Sequence, residues 1–110
     1  MKSLKTLYDQ SSVPTSLPPG KYRVVAFKGV PKLPWHSKTV DSHADWQDGY
    51  NRSVIKWGSF YIISAQHCLG LMYYSGKIHD RIREVSEGVY IGKYYRKAFK
   101  GYFMLVKEGE

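Results

Sequence analysis

The chain has 110 residues, 43% of them apolar and 15% aromatic, with ten tyrosines and a formal net charge of +8. That length fits one domain with one core, and the apolar content excludes a disordered polymer. A single cysteine, Cys68, excludes an intrachain disulfide, and no apolar run approaches the ~20 residues of a membrane span.

In chain order, residues 3–10 predict a short helix, with Ser3 as N-cap and Leu4, Leu7 and Tyr8 on one face. No apolar core follows Lys2 and Lys5, so the segment does not read as a secretory signal and the expected location is cytoplasmic. Residues 11–19, rich in Pro and Ser, read as a linker. A strand is expected from Lys21 to Val30, apolar on both faces. Residues 31–53 read as a long loop, with a short strand near Lys38 to Val40.

Val54 to Gln66 is the longest predicted strand, and Gly58 within it signals a bend or bulge. Leu69–Tyr74 follows as a strand, then a Ser75-Gly76 turn. Ile78 to Val85 is open between helix and strand: Ile78, Ile82 and Val85 fit helical spacing, and in a strand Asp80 and Glu84 share a face with the isoleucines. Val89–Arg96 and Tyr102–Lys107 close the series as strands joined by a loop at Lys97–Gly101. The expected fold is all-β and mainly antiparallel: one domain over 1–110 whose five or six strands form a curled meander or small barrel with a short N-terminal helix. Five or six strands leave open edges, which points to a homodimer.

The order of elements resembles the calycins, the lipocalins and fatty-acid-binding proteins. Gly20-Lys21-Tyr22 stands where lipocalins open their first strand with Gly-x-Trp, with Tyr22 in the tryptophan's place. The likeness covers residues 20–107. It implies a barrel whose first aromatic ring packs across the closed end, and an apolar cavity for a small hydrophobic or amphipathic molecule.

The candidate lining is aromatic: Trp57, Phe60, Tyr61, Tyr73, Tyr90 and Tyr94, with one of each alternating pair facing in. Arg81 and Arg83, with His79 on the same side, are the candidate grip for an anionic end, and Asn51 is a hydrogen-bonding candidate at the rim. Asp48-Gly49-Tyr50-Asn51 itself reads as a turn. A ligand-binding module is the leading functional expectation. A nucleic-acid-binding β-domain is the alternative, because Val89 to Lys107 carries five basic residues and no acid, and surface tyrosines can stack bases. A small barrel enzyme pairing His79 with Asp80 or His67 ranks third. His36, Asp41, His43 and Asp45 match no metal-site spacing, and neither a metal nor a cofactor is expected.

Overall fold

The computed structural model describes residues 3–109. Eight strands follow one another in antiparallel hairpins: β1 (Gly20–Ala26), β2 (Ser37–Ser42), β3 (Gln47–Arg52), β4 (Lys56–Ser64), β5 (Leu69–Tyr73), β6 (Ile78–Ser86), β7 (Val89–Arg96) and β8 (Ala98–Lys107). Pairing of β1 with β8, in a register that sets Val24 opposite Leu105, closes the sheet into a barrel. Closure satisfies every edge, so the open edges from which a homodimer was argued do not exist.

The interior is packed by pairing large rings with glycines on neighbouring strands. Phe60 of β4 lies opposite Gly49 of β3, and Phe103 of β8 opposite Gly92 of β7. A Cβ on Gly49 would stand 2.7 Å from the Phe60 ring, and one on Gly92 2.3 Å from the Phe103 ring. An eight-stranded barrel has just enough room for side chains, and small-with-large pairing fills it. Leu69, Leu71, Ile82 and Leu105 complete the buried core.

One end of the barrel is sealed. Tyr22 is fully buried, its ring edge-on to Tyr90 at 5.8 Å, and its hydroxyl donates to Pro18 O at 2.5 Å. The linker before β1 lies across this end with Leu17 buried, held at its backbone N–H and C=O by the Gln47 side chain. Helix α1 (Leu4–Gln10), capped at Ser3, packs on the outside of β6 and β7. Seven residues are too few to hold a helix alone. Arg83 supplies the anchor by donating to the Tyr8 and Asp9 carbonyls at 3.1 and 3.2 Å.

Several expectations need correction. The short strand expected near Lys38 to Val40 is present within β2, but the rest of 31–53 is no long loop: β3 pairs with β2 as a hairpin, so Asp48-Gly49-Tyr50-Asn51 lies in a strand rather than a turn. Its inward positions are Lys38, Val40, Gly49 and Asn51, so polar and small residues hide the alternation that marks a strand. β1 stops at Ala26, where a turn at Phe27–Val30 begins. Of the two readings open for Ile78–Val85, the strand is the one formed, because Asp80 points into the barrel and is paired there. β8 starts at Ala98, leaving Lys97 alone as the link from β7 in place of the expected loop. The bulge signalled by Gly58 is present: Asn51 faces Trp57 and Tyr50 faces Ser59, leaving Gly58 as the extra residue, at φ 59°.

A buried polar cluster at the barrel mouth

The end of the barrel opposite Tyr22 is organised around charge. Lys38 and Asp80 project inward from β2 and β6, their side chains 5% and 0% exposed, with 3.3 Å between Nζ and Oδ2. Two lone ions in an apolar barrel would be prohibitive, so the neighbours decide whether the pair is tolerated. Lys38 Nζ also donates to Asn51 Oδ1 at 2.7 Å and to Tyr73 Oη at 2.6 Å, which uses its three protons. Tyr73 Oη donates to Asp80 Oδ2 at 3.2 Å and accepts from Asn51 Nδ2 at 2.8 Å. Asn51 Nδ2 also donates to Gly58 O, so the β4 bulge presents a carbonyl to the network. The Phe60, Tyr73 and Phe103 rings lie 5.3–5.5 Å from the ammonium.

Burial pushes the Asp80 carboxyl above the usual carboxylate range and the Lys38 ammonium below its own, while their mutual attraction opposes both shifts. The Tyr73 hydroxyl is raised by burial and by the adjacent Asp80 charge. His36 Nε2 lies 2.8 Å from Asn51 Oδ1, which can only accept from it, so Nδ1 carries the free lone pair. Burial lowers the His36 pKa, keeping the ring neutral.

Three buried polar atoms at this end have no hydrogen-bond partner: His36 Nδ1, Trp57 Nε1 and Asp80 Oδ1. All three residues line one cavity of about 20 Å³, roughly the room one water needs. Val24, Val30, Pro31 and Tyr94 form its apolar side. The β1–β2 loop that carries Val30 and Pro31 is clamped onto β8: Gly29, at φ 94°, passes so close to Lys100 O that a Cβ would collide at 1.8 Å. The cluster therefore offers two acceptors and one donor beside an apolar wall.

The structure gathers part of the expected lining and disperses the rest. Asn51, Trp57, Tyr73 and Tyr94 meet at this cavity or its network, and Phe60 lies in the core beneath it. Tyr90 is also inside, but at the sealed end against Tyr22. Tyr61 faces outward and packs on Tyr74. Arg81, Arg83 and His79 are on the outer surface of β6, because alternation that turns Asp80 and Ile82 inward turns them out. Two arginines inside the mouth are thus ruled out, and Arg83 is engaged by His67, Tyr8 and Asp9 carbonyls. The same alternation separates His79 from Asp80 as an acid–base pair. His36 is buried, whereas His43 stacks on Trp46 outside and contacts Asp48 at 3.0 Å, so those two histidines do not converge on one ion. Sequence reasoning missed Lys38, His36 and Asp80 as one group, since strand pairing alone brings them together.

No protein-family model matches the chain, and no curated protein or solved structure matches it. The class defined by the fold is a closed eight-stranded antiparallel barrel with a short helix. No helix among the described residues is long and apolar enough to cross a membrane.

Proposed function

We propose that the protein is a small-ligand-binding barrel of calycin-like design that takes a compact amphipathic molecule at its mouth. The observation that supports this reading is that the three residues carrying an unpartnered buried polar atom, His36, Trp57 and Asp80, line one cavity. A buried polar atom without a partner costs about 1–3 kcal/mol, and a ligand head that pairs with it recovers that cost. Asp80 Oδ1 and His36 Nδ1 call for donors, and Trp57 Nε1–H for an acceptor. Lys38 spends its protons on Asn51, Tyr73 and Asp80, so a neutral hydroxyl or amide head suits the site better than a carboxylate. The cavity has room for only a water-sized group, so the polar head alone enters it and the apolar part of the ligand rests outside on Val30, Pro31 and Tyr94. The calycin likeness is supported by the up-and-down strand order and by Tyr22 packed across the far end.

The test uses Trp57 as reporter. Trp35 and Trp46 are 84% and 51% exposed, so the double variant Trp35→Phe/Trp46→Phe isolates the third tryptophan without touching the core. The expected result is a saturable change in Trp57 emission with benzyl alcohol and benzamide, a weaker one with benzoate, and loss of all three in His36→Phe. No saturable change with any probe, together with no bound mass in native mass spectrometry, overturns the reading.

A further inference from the structure

We propose that the part of the outer face of β6, β7 and β8 that α1 leaves uncovered, with the cleft beside it, binds single-stranded nucleic acid. This site is separate from the interior cluster and does not depend on it. The β5–β6 and β7–β8 turns leave the barrel at the same end. Between them lies an open cleft of about 870 Å³ lined by Lys77, Arg96, Lys97, Lys100 and the His79 ring. No carboxylate lines it, and among the described residues none of these four cations is in an ion pair. Uncompensated like charges repel one another and focus a field that draws anions.

Lys97 adds an independent observation. It is the one-residue link between β7 and β8 and sits at φ 70°. The left-handed conformation costs a residue with a side chain about 1–2 kcal/mol, which glycine would avoid. The chain nevertheless places a cation there, and backbone strain of this kind clusters where ligands are gripped.

The rings supply the second half of the recognition. Strand alternation turns His79 and Arg81 outward from β6 and Lys93 and Tyr95 from β7, and a bulge that leaves Lys100 unpaired between Phe99 and Gly101 lets both Phe99 and Tyr102 face outward from β8. His79 lies flat on Tyr95 at 4.5 Å, Tyr95 meets Phe99 edge-on at 5.6 Å, and Phe99 meets Tyr102 at 5.1 Å. The Arg81 guanidinium stands 4.4 Å over the Tyr95 ring, while Lys93 and Tyr102 border α1, whose Tyr8 ring lies 4.5 Å from the Lys93 ammonium and 6.4 Å from the Tyr102 ring. The Phe99 ring is 45% exposed and adjoins Lys100 of the cleft. Rings interleaved with cations match bases interleaved with phosphates, since any base can stack and any phosphate can pair. An anionic membrane would use the same cations but needs several rings free to insert, and of this series only Phe99 is strongly exposed while Tyr95 and Tyr102 are half-buried.

The test is fluorescence anisotropy with labelled oligo(dT) of about twelve nucleotides, within the usual site sizes for single-strand binders. Four phosphate contacts predict a log–log salt slope of about −2.8, or about a 50-fold loss of affinity from 50 to 200 mM salt. Lys97→Gly/Lys100→Ala is expected to halve the slope, reducing that loss to about 7-fold. Phe99→Ala should weaken binding about 5-fold or more with the slope unchanged, and Phe99→Leu, which keeps apolar bulk and removes the π face, should do the same. Lys56→Ala, on the distant β4, is expected to leave binding unchanged. Vesicles of phosphatidylcholine with phosphatidylserine form the second arm. Binding to vesicles but not to oligo(dT), oligonucleotide affinity unaltered by Lys97→Gly/Lys100→Ala, or indifference to Phe99→Leu would each overturn the proposal.

Discussion

Replacing Lys38 with methionine removes the cation from the centre of the barrel and keeps most of its volume. Asp80 would then be fully buried without its charge partner. Stranding one member of a buried pair costs about 3–5 kcal/mol, a large share of the 5–15 kcal/mol that holds an ordinary domain folded. Asp80→Leu strands Lys38 and carries a similar cost. The double variant Lys38→Met/Asp80→Leu removes both charges. Asn51 Oδ1 keeps His36 as donor and Tyr73 Oη keeps Asn51 as donor, so the main loss is an acceptor for the Tyr73 proton. That orphan is worth about 1–3 kcal/mol. The double variant should therefore be more stable than either single one. The measurement is urea unfolding of all four proteins followed by circular dichroism, with unchanged m-values as the sign that only stability moved. Singles that cost less than about 1 kcal/mol, or a double that costs their sum, would refute the account of the pair as mutually dependent.

Two further outcomes follow from neighbouring groups. Burial lowers the His36 pKa below its ordinary 6.5, so its contribution to stability is present above that value and is lost as pH falls through the folded-state value. Thermal unfolding should accordingly shift to lower temperature on acidification below about pH 6.5, and His36→Gln should flatten that part of the profile; an unchanged slope would count against it. Arg83→Ala removes the donor that joins α1 to the barrel. Amides of Leu4–Gln10 should then exchange faster while those of β4 and β5 keep their protection; equal protection throughout would show that Arg83 is not the anchor.

Legibility differed from segment to segment for physical reasons. The helix capped by Ser3 and the turn at Ser75-Gly76 depend on local chemistry, and they stand where the sequence places them. Gly58 likewise marks its own bulge. Of the β2–β3 hairpin only the centre of β2 is legible, because the inward residues include Lys38 and Asn51, which become tolerable indoors only when Asp80 and Tyr73 arrive from strands far along the chain. Asp80 misled in the same way: an acid among isoleucines argues against a strand until its partner is known. The outward turn of Arg81 and Arg83 was written in the alternation, but only the burial of Asp80 says which side is inside.

The closed seam has a kinetic consequence. Seven of the eight strand junctions join neighbours in sequence, and each can form by a short hairpin excursion. The eighth, where Val24 meets Leu105, must gather the two ends of the whole strand series. Its closure entropy is the largest of any junction, and it is compensated only once the other seven have shaped the ribbon between. On closure entropy alone, the β1–β8 seam is expected to be the last junction to form during folding.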